Sequence, residues 1–313
     1  MSPEFARDET VFSDPLALLR QLTSNEFCHA FGRAPLLLKS IPTAKPAHIG
    51  AMIWDIFVAT KFAPGAVRMA FRGEVLQPQQ KNVRGKAFID PQKLVESLQL
   101  GHTLNIMGIE RFRTDIRAVT SGLEERFEVP CPANLYVSYE GSTGGYGPHR
   151  DQHDVIVVHL YGEKVWKLYP PAERYVPIRK LDVTREDLRV EPIEFTMKSG
   201  SCLYVPAGFT HDVVSSEGCC VHITFGVQCL RWHDMLSDIL GEIRSDVFFE
   251  RIPNSGDEIV GAFKTRIAPA LALVFNDESV SRMAERYEYF GSLAKHKQRV
   301  IRSIMSPHTS SDR

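Results

Sequence analysis

The chain has 313 residues, with 37 basic and 38 acidic side chains and a formal net charge of −1. That length exceeds the needs of one small barrel, and the balanced charge leaves no electrostatic footprint for nucleic acid or an anionic membrane surface. The six cysteines, Cys28, Cys131, Cys202, Cys219, Cys220 and Cys229, form neither a CxxC pair nor a regular secreted framework, so free thiols and a cytoplasmic location are expected.

In chain order, residues 1–13 are charged and lack the apolar core of a signal peptide, and no run is long and apolar enough to span a membrane. Ser13, Asp14 and Pro15 ahead of Leu16 predict a capped amphipathic helix within residues 1–24. Residues 46–130 predict alternating helix and strand, including a helix over 112–127. Residues 134–139 alternate as a strand, and the glycine-rich stretch 141–147 predicts a flexible loop. Residues 154–161 are rich in β-branched side chains, and Gly162 predicts a hairpin into a second strand over 163–169. Residues 201–205 predict a strand delivered into a turn at Pro206, Ala207 and Gly208. Beyond 230, the segments 232–249, 258–274 and 279–304 predict amphipathic helices, the last ending in basic residues best suited to a solvated helix end.

The chemistry concentrates at His149, Asp151 and His211. In a strand, residues two apart share a face, so His149 and Asp151 can both point into a barrel while Arg150 points out, an exposed neighbour of the site. His211, on a strand passing the same point, then completes a set of two imidazoles and one carboxylate. Such a set caps one face of an octahedral metal and leaves the other positions open, as in non-haem Fe(II) oxygenases. A His-x-Asp triplet alone is weak evidence, and a surface histidine beside a carboxylate is its ordinary reading. His153, His159 and His222 are expected to be packing or hydrogen-bonded histidines, and Trp166 and Tyr204 barrel packing.

Residues 134–171 together with 198–211 resemble the JmjC/cupin-like 2-oxoglutarate oxygenases, and within them the ribosomal oxygenase branch, whose members hydroxylate side chains of ribosomal proteins. Residues 25–38 resemble that family's entry segment and 101–106 its strand before the core helix. The resemblance implies a mainly β fold with flanking helices: a double-stranded β-helix of jelly-roll or cupin type, JmjC class, plus a C-terminal helical region. It implies an N-terminal α/β segment over 1–130, a catalytic core over 131–230, and a helical region over 231–313 that could dimerise, with too little chain for the winged helix that often follows. It also implies Fe(II) held by His149, Asp151 and His211, with 2-oxoglutarate and O2 as co-substrates. Lys164 matches the cation that pairs with the distal carboxylate of 2-oxoglutarate, a group too costly to bury unpaired. Asn134, Tyr136 and Ser138 share a strand face and Thr224 lies on the strand after His211, so each is a candidate hydrogen-bond donor to the co-substrate, with Asn134 and Thr224 the preferred pair. The implied activity is hydroxylation of a protein or peptide side chain. Hydroxylation of a small peptide or amino acid, a cupin metalloenzyme that does not use 2-oxoglutarate, and a catalytically silent binding module remain alternatives.

Overall fold

The computed structural model describes residues 10–228 apart from 13, 15, 62, 140–144 and 172–182. The three helices and basic tail expected beyond residue 230 lie outside the described residues. Helix α1 (Leu16–Gln21) begins where the Asp14 carboxylate accepts the Leu16 N–H at 3.0 Å. Helix α2 (Asn25–Ala30) is capped by the Ser24 hydroxyl, which accepts the Phe27 N–H at 3.2 Å, a cap worth about 1 kcal/mol. Strand β1 (Leu36–Leu38) then leads to α3 (Pro46–Thr60), opened by a proline that needs no N–H there.

Strands β2 (Val67–Phe71) and β3 (Glu74–Leu76) form one edge of the sheet, and β4 (Lys81–Val83) pairs with β5 (Lys86–Phe88) as a separate ribbon. Helix α4 (Pro91–Gln99), strand β6 (Thr103–Met107) and helix α5 (Thr114–Phe127) complete the N-terminal part. The remaining strands are β7 (Ala133–Ser138), β8 (His149–Arg150), β9 (Asp154–Tyr169), β10 (Ile193–Lys198), β11 (Cys202–Val205) and β12 (Thr210–Val227).

The two longest strands, β9 and β12, run antiparallel along their whole length, and both bend. Gly162 makes the corner in β9 with φ 77°, and in β12 the register shifts between Ser215 and His222 around Gly218, φ 67°. On one side of the corners the order is β1-β11-β9-β12-β7-β6-β2-β3; on the other, β9 pairs with β10 and β12 with β8. The corners fold one hydrogen-bonded sheet into two facing halves, the jelly-roll expected. Trp166, from the smaller half, packs edge-on against His222 of the larger, ring centroids 5.7 Å apart.

The hairpin expected at Gly162 is absent. Residues on both sides of it pair with β12, Val157 with Thr224 and Val165 with Val214, so 154–169 is one strand turning a corner. A glycine punctuates a strand equally well as a turn or as a bend, and only the pairing partner distinguishes them. Glycine is required at this corner, because a Cβ there would stand 2.2 Å from the Cys219 carbonyl oxygen.

Alternation along the larger half sends Leu104, Ile106, Leu135, Val137, Ile223 and Phe225 to one buried face, where Phe12 packs on Phe225. The opposite face lines the barrel. Between its halves Val155, Val157, Trp166, Leu168, Met197, Leu203 and Val205 form a buried apolar cluster, each large side chain contributing about 1.5–3 kcal/mol. Beside that cluster the lining turns polar, with Asn105, Tyr136, His222 and His159 in one row across β6, β7, β12 and β9.

Candidate metal centre

His149 and His211 are brought together by strand register. They are direct partners in the short β8–β12 ladder, and their ring centroids are 4.2 Å apart. Strand β8 ends at Arg150, so Asp151 joins them from just beyond the strand rather than within it. Its backbone is fixed there by the Gly208 N–H, which donates to the Asp151 carbonyl at 2.9 Å. One ligand atom from each of His149, Asp151 and His211 lies within 4.8 Å of the others, and His211 Nε2 is 3.7 Å from Asp151 Oδ2.

Both imidazoles are oriented by the backbone. His149 Nδ1 donates to the Gly147 carbonyl at 2.8 Å and His211 Nδ1 to the Phe209 carbonyl at 3.1 Å. A carbonyl can only accept, so each Nδ1 carries the proton and each Nε2 keeps its lone pair for a ligand. Burial, then the neighbouring His149, pushes the His211 pKa down to about 4, which keeps that lone pair available at neutral pH. Two imidazole nitrogens and one carboxylate oxygen in this spacing suit a divalent first-row metal with open coordination positions.

The turn that delivers His211 is anchored by a buried carboxylate. Asp154 Oδ2 accepts the Tyr204 hydroxyl at 2.6 Å and Oδ1 accepts the Ala207 N–H at 2.8 Å, while the same Tyr204 oxygen accepts the Gly32 N–H at 2.7 Å. Hydrogen bonds to a charged acceptor are worth about 1.5–3 kcal/mol each. Trp166 lies nearly parallel to the His211 ring at 5.7 Å and 22°.

Two residues before Trp166 on the same face of β9 stands Lys164, only 4 % exposed. Among the described residues its ammonium has no hydrogen-bond or ion-pair partner. Burial pulls its pKa from 10.5 down to about 8. His159 and His222 are buried next to it and both are pushed down, first by burial and then by the Lys164 charge, His159 to about 4. The Nδ1 atoms of these two histidines, Trp166 Nε1 and Asn105 Oδ1 are buried without a hydrogen-bond partner among the described residues. Buried polar atoms are nearly always paired, so this cluster has the chemistry of a site for a polar ligand.

Of the other predicted residues, Tyr136 and Thr224 share a hydrogen bond, and burial drives the Tyr136 pKa well above its usual range, so its hydroxyl stays protonated. Asn105 Nδ2 donates to the Tyr136 oxygen at 3.1 Å, and the His222 ring stacks on Tyr136 at 4.7 Å and 3°. Asn134 is partly committed elsewhere, its Oδ1 accepting the Gly108 N–H at 3.2 Å. Ser138 is buried. His153 packs against the backbone of Gly226. Arg150 corrects an expectation: its side chain is 5 % exposed, with Nε donating to Thr210 Oγ1 at 2.7 Å and the guanidinium paired to Asp187. Alternation carries it out of the barrel, but the segment around Asp187 covers it.

Asn105 and Tyr146 were not singled out by the sequence. Tyr146 stands 5.8 Å from the His149 ring and 6.0 Å from that of Tyr136. Asn105 was detectable, since an amide in the apolar strand 103–107 needs a partner; Tyr146 lies in a glycine-rich loop with no periodic signal. A cavity of about 340 Å³ lined by Gly32, Arg33, Pro170, Pro171, Pro206, Ala207 and Phe209 holds none of the three ligands.

Residues 109–235 match the JmjC domain family. A bifunctional lysine-specific demethylase and histidyl-hydroxylase NO66 of Dictyostelium discoideum is 28% identical over 164 residues, 51% of this chain and 31% of that protein. Ribosomal oxygenase 2 of Bos taurus is 34% identical over 142 residues, 44% of this chain and 30% of its own. The chain thus spans about a third of the length of these relatives. Among solved structures, the Escherichia coli ribosomal oxygenase YcfD in complex with cobalt and 2-oxoglutarate superimposes with a TM-score of 0.52 at 14% identity, over 85% of this chain and 71% of that one. The chain thus matches the JmjC domain family over residues 109–235 and is similar in fold to that bacterial ribosomal oxygenase.

Proposed function

We propose that this protein is an Fe(II)- and 2-oxoglutarate-dependent oxygenase that hydroxylates a side chain of a protein or peptide. The observation that carries this reading is the convergence of His149, Asp151 and His211 with both Nδ1 atoms held by backbone carbonyls, beside a buried lysine that has no counter-charge among the described residues. His149, Asp151 and His211 would hold the metal. Lys164 would pair with the distal carboxylate of 2-oxoglutarate, and Tyr136, Thr224 and Asn134 would complete its polar contacts. When bound, metal and co-substrate supply an oxidant from O2, with 2-oxoglutarate going to succinate and CO2 and one oxygen atom going into a C–H bond.

The chain's own contribution is ligation, orientation and exclusion of water. Backbone carbonyls hold both Nδ1 atoms, which leaves Nε2 of each imidazole as the atom turned to a metal. Trp166 and the apolar cluster behind it seal one side of the site, which protects a reactive centre from side reactions. The names of the relatives, ribosomal oxygenase and histidyl-hydroxylase, support a ribosomal-protein side chain as substrate. The amphipathic pattern over 231–313 supports a dimerising role for that region.

Incubation with ribosomal-protein fragments, Fe(II), 2-oxoglutarate and O2 tests the activity. The expected outcome is a +16 Da product that forms with succinate and is absent with His211→Ala. Turnover of a small peptide alone would move the substrate class; product formation without 2-oxoglutarate would overturn the co-substrate.

A further inference from the structure

The side chain between the first two ligands does more than fill the outer surface of β8. Arg150 is flanked by His149 and Asp151 in sequence and faces Thr210 across the ladder, while Thr210 directly precedes His211. Its Nε donates to Thr210 Oγ1 at 2.7 Å, and Thr210 is itself buried. Its terminal nitrogen pairs with Asp187 Oδ1. The other oxygen of Asp187 accepts both the N–H and the hydroxyl of Thr184 at 2.8 Å. Against burial, which raises it, the Thr184 hydrogen bonds and then Arg150 lower the Asp187 pKa from its ordinary value.

Two consequences follow from that arrangement. A planar guanidinium that engages Thr210 through Nε and Asp187 through a terminal nitrogen ties together β8, β12 and the segment around residues 184–190. All three metal ligands sit within one residue of the two strand positions so tied. The ion pair also gives the guanidinium a carboxylate partner other than Asp151. An arginine adjacent to a ligating carboxylate, left without a counter-charge, is a competitor for that carboxylate, because Arg–carboxylate pairing is bidentate and strong.

We propose that Arg150 is a positioning residue for the metal centre, acting through a clamp with Thr210 and Asp187 that fixes the ligand-bearing strands and leaves the Asp151 carboxylate for the metal. This rests on the metal-site reading above. The clamp does not touch the reacting atoms, so its effect falls on metal affinity and on the covering segment. Residues that hydrogen-bond the ligands themselves typically change metal affinity by about 10–100-fold, and the clamp, one step further out, is assigned the lower end of that range.

The experiment titrates Co(II) into metal-free wild type, Arg150→Lys, Arg150→Gln, Asp187→Asn and Arg150→Gln/Asp187→Asn, following visible absorption and heat. Thermal unfolding of the metal-free forms and tryptic cleavage at the exposed Arg185 and Arg189 run alongside. The clamp predicts a loss of Co(II) affinity of about tenfold or more in each single variant, including Lys, which cannot reproduce the fork. It predicts a double variant no worse than the poorer single, and faster cleavage at Arg185 or Arg189. Asp187 lies near the surface, so Asp187→Asn tests the clamp even if Arg150→Gln folds poorly. Affinity and spectrum unchanged in a folded Asp187→Asn protein would overturn the proposal. Independent, additive losses would also overturn it. Wild type that binds no Co(II), or binds it equally well with His149→Ala, would remove the metal reading and the clamp with it.

Discussion

Lys164 links burial to a measurable pH dependence. Its pKa of about 8 in the ligand-free protein lies below the ordinary lysine value of 10.5 because the barrel strips water from the ammonium. A distal carboxylate needs the charged form, so binding raises that pKa and takes up a proton. Affinity for 2-oxoglutarate should be flat below pH 8 and fall roughly tenfold per pH unit above it, with about half a proton taken up at pH 8. Calorimetry in two buffers of different ionisation enthalpy measures that uptake, and affinity unchanged to pH 9.5 would count against Lys164 as the partner. At this scale the sequence was informative where parity and chemistry agreed. His149 and His211 were legible as one cluster, and Trp166 as packing, since it lies on the His211 ring. Arg150 was not, because alternation gives the face on which a side chain emerges but not what later covers it. The Asn105–Tyr136–His222–His159 row was legible only in part, since it joins four strands whose pairing no local pattern encodes.

At the scale of elements, the corners in β9 and β12 decide whether a polar lining can face the His149–Asp151–His211 cluster. Gly162 is the strict requirement, with positive φ and the Cys219 carbonyl where a side chain would begin. Gly162→Ala should destabilise the fold by about 1–3 kcal/mol, the cost of a strained left-handed residue and the accompanying clash, and lower the unfolding midpoint. It should also weaken 2-oxoglutarate binding, because Lys164 is two residues away. By contrast, Gly218 has nothing near its Cβ direction, so alanine there should cost only the φ strain. An unfolding midpoint the same for Gly162→Ala as for wild type would show that the corner relaxes freely. The strands over 133–138, 154–169 and 202–205 were legible from β-branched runs and alternation. The corner was misread as a hairpin because Gly162 signals a break in the strand without saying whether the chain reverses.

Across the whole molecule, the jelly-roll supplies a barrel whose interior is apolar between its halves and polar around Lys164, with the His149–Asp151–His211 cluster on the smaller half. That division explains why the fold and the His149–Asp151–His211 cluster were legible from 313 residues while the substrate was not: the former follow from periodicity and three spaced side chains, the latter from surfaces that no single pattern marks. Among the described residues, no helix is long and apolar enough to cross a membrane, and no disulfide joins the five described cysteines. The measurement that reaches the central claim most directly is anaerobic addition of Fe(II) and 2-oxoglutarate to the metal-free protein, read by visible absorption. The account predicts a charge-transfer band from the chelated co-substrate, lost in His149→Ala and in Lys164→Ala. No band in folded wild-type protein would contradict it and leave a cupin-type metal site or a binding module in its place.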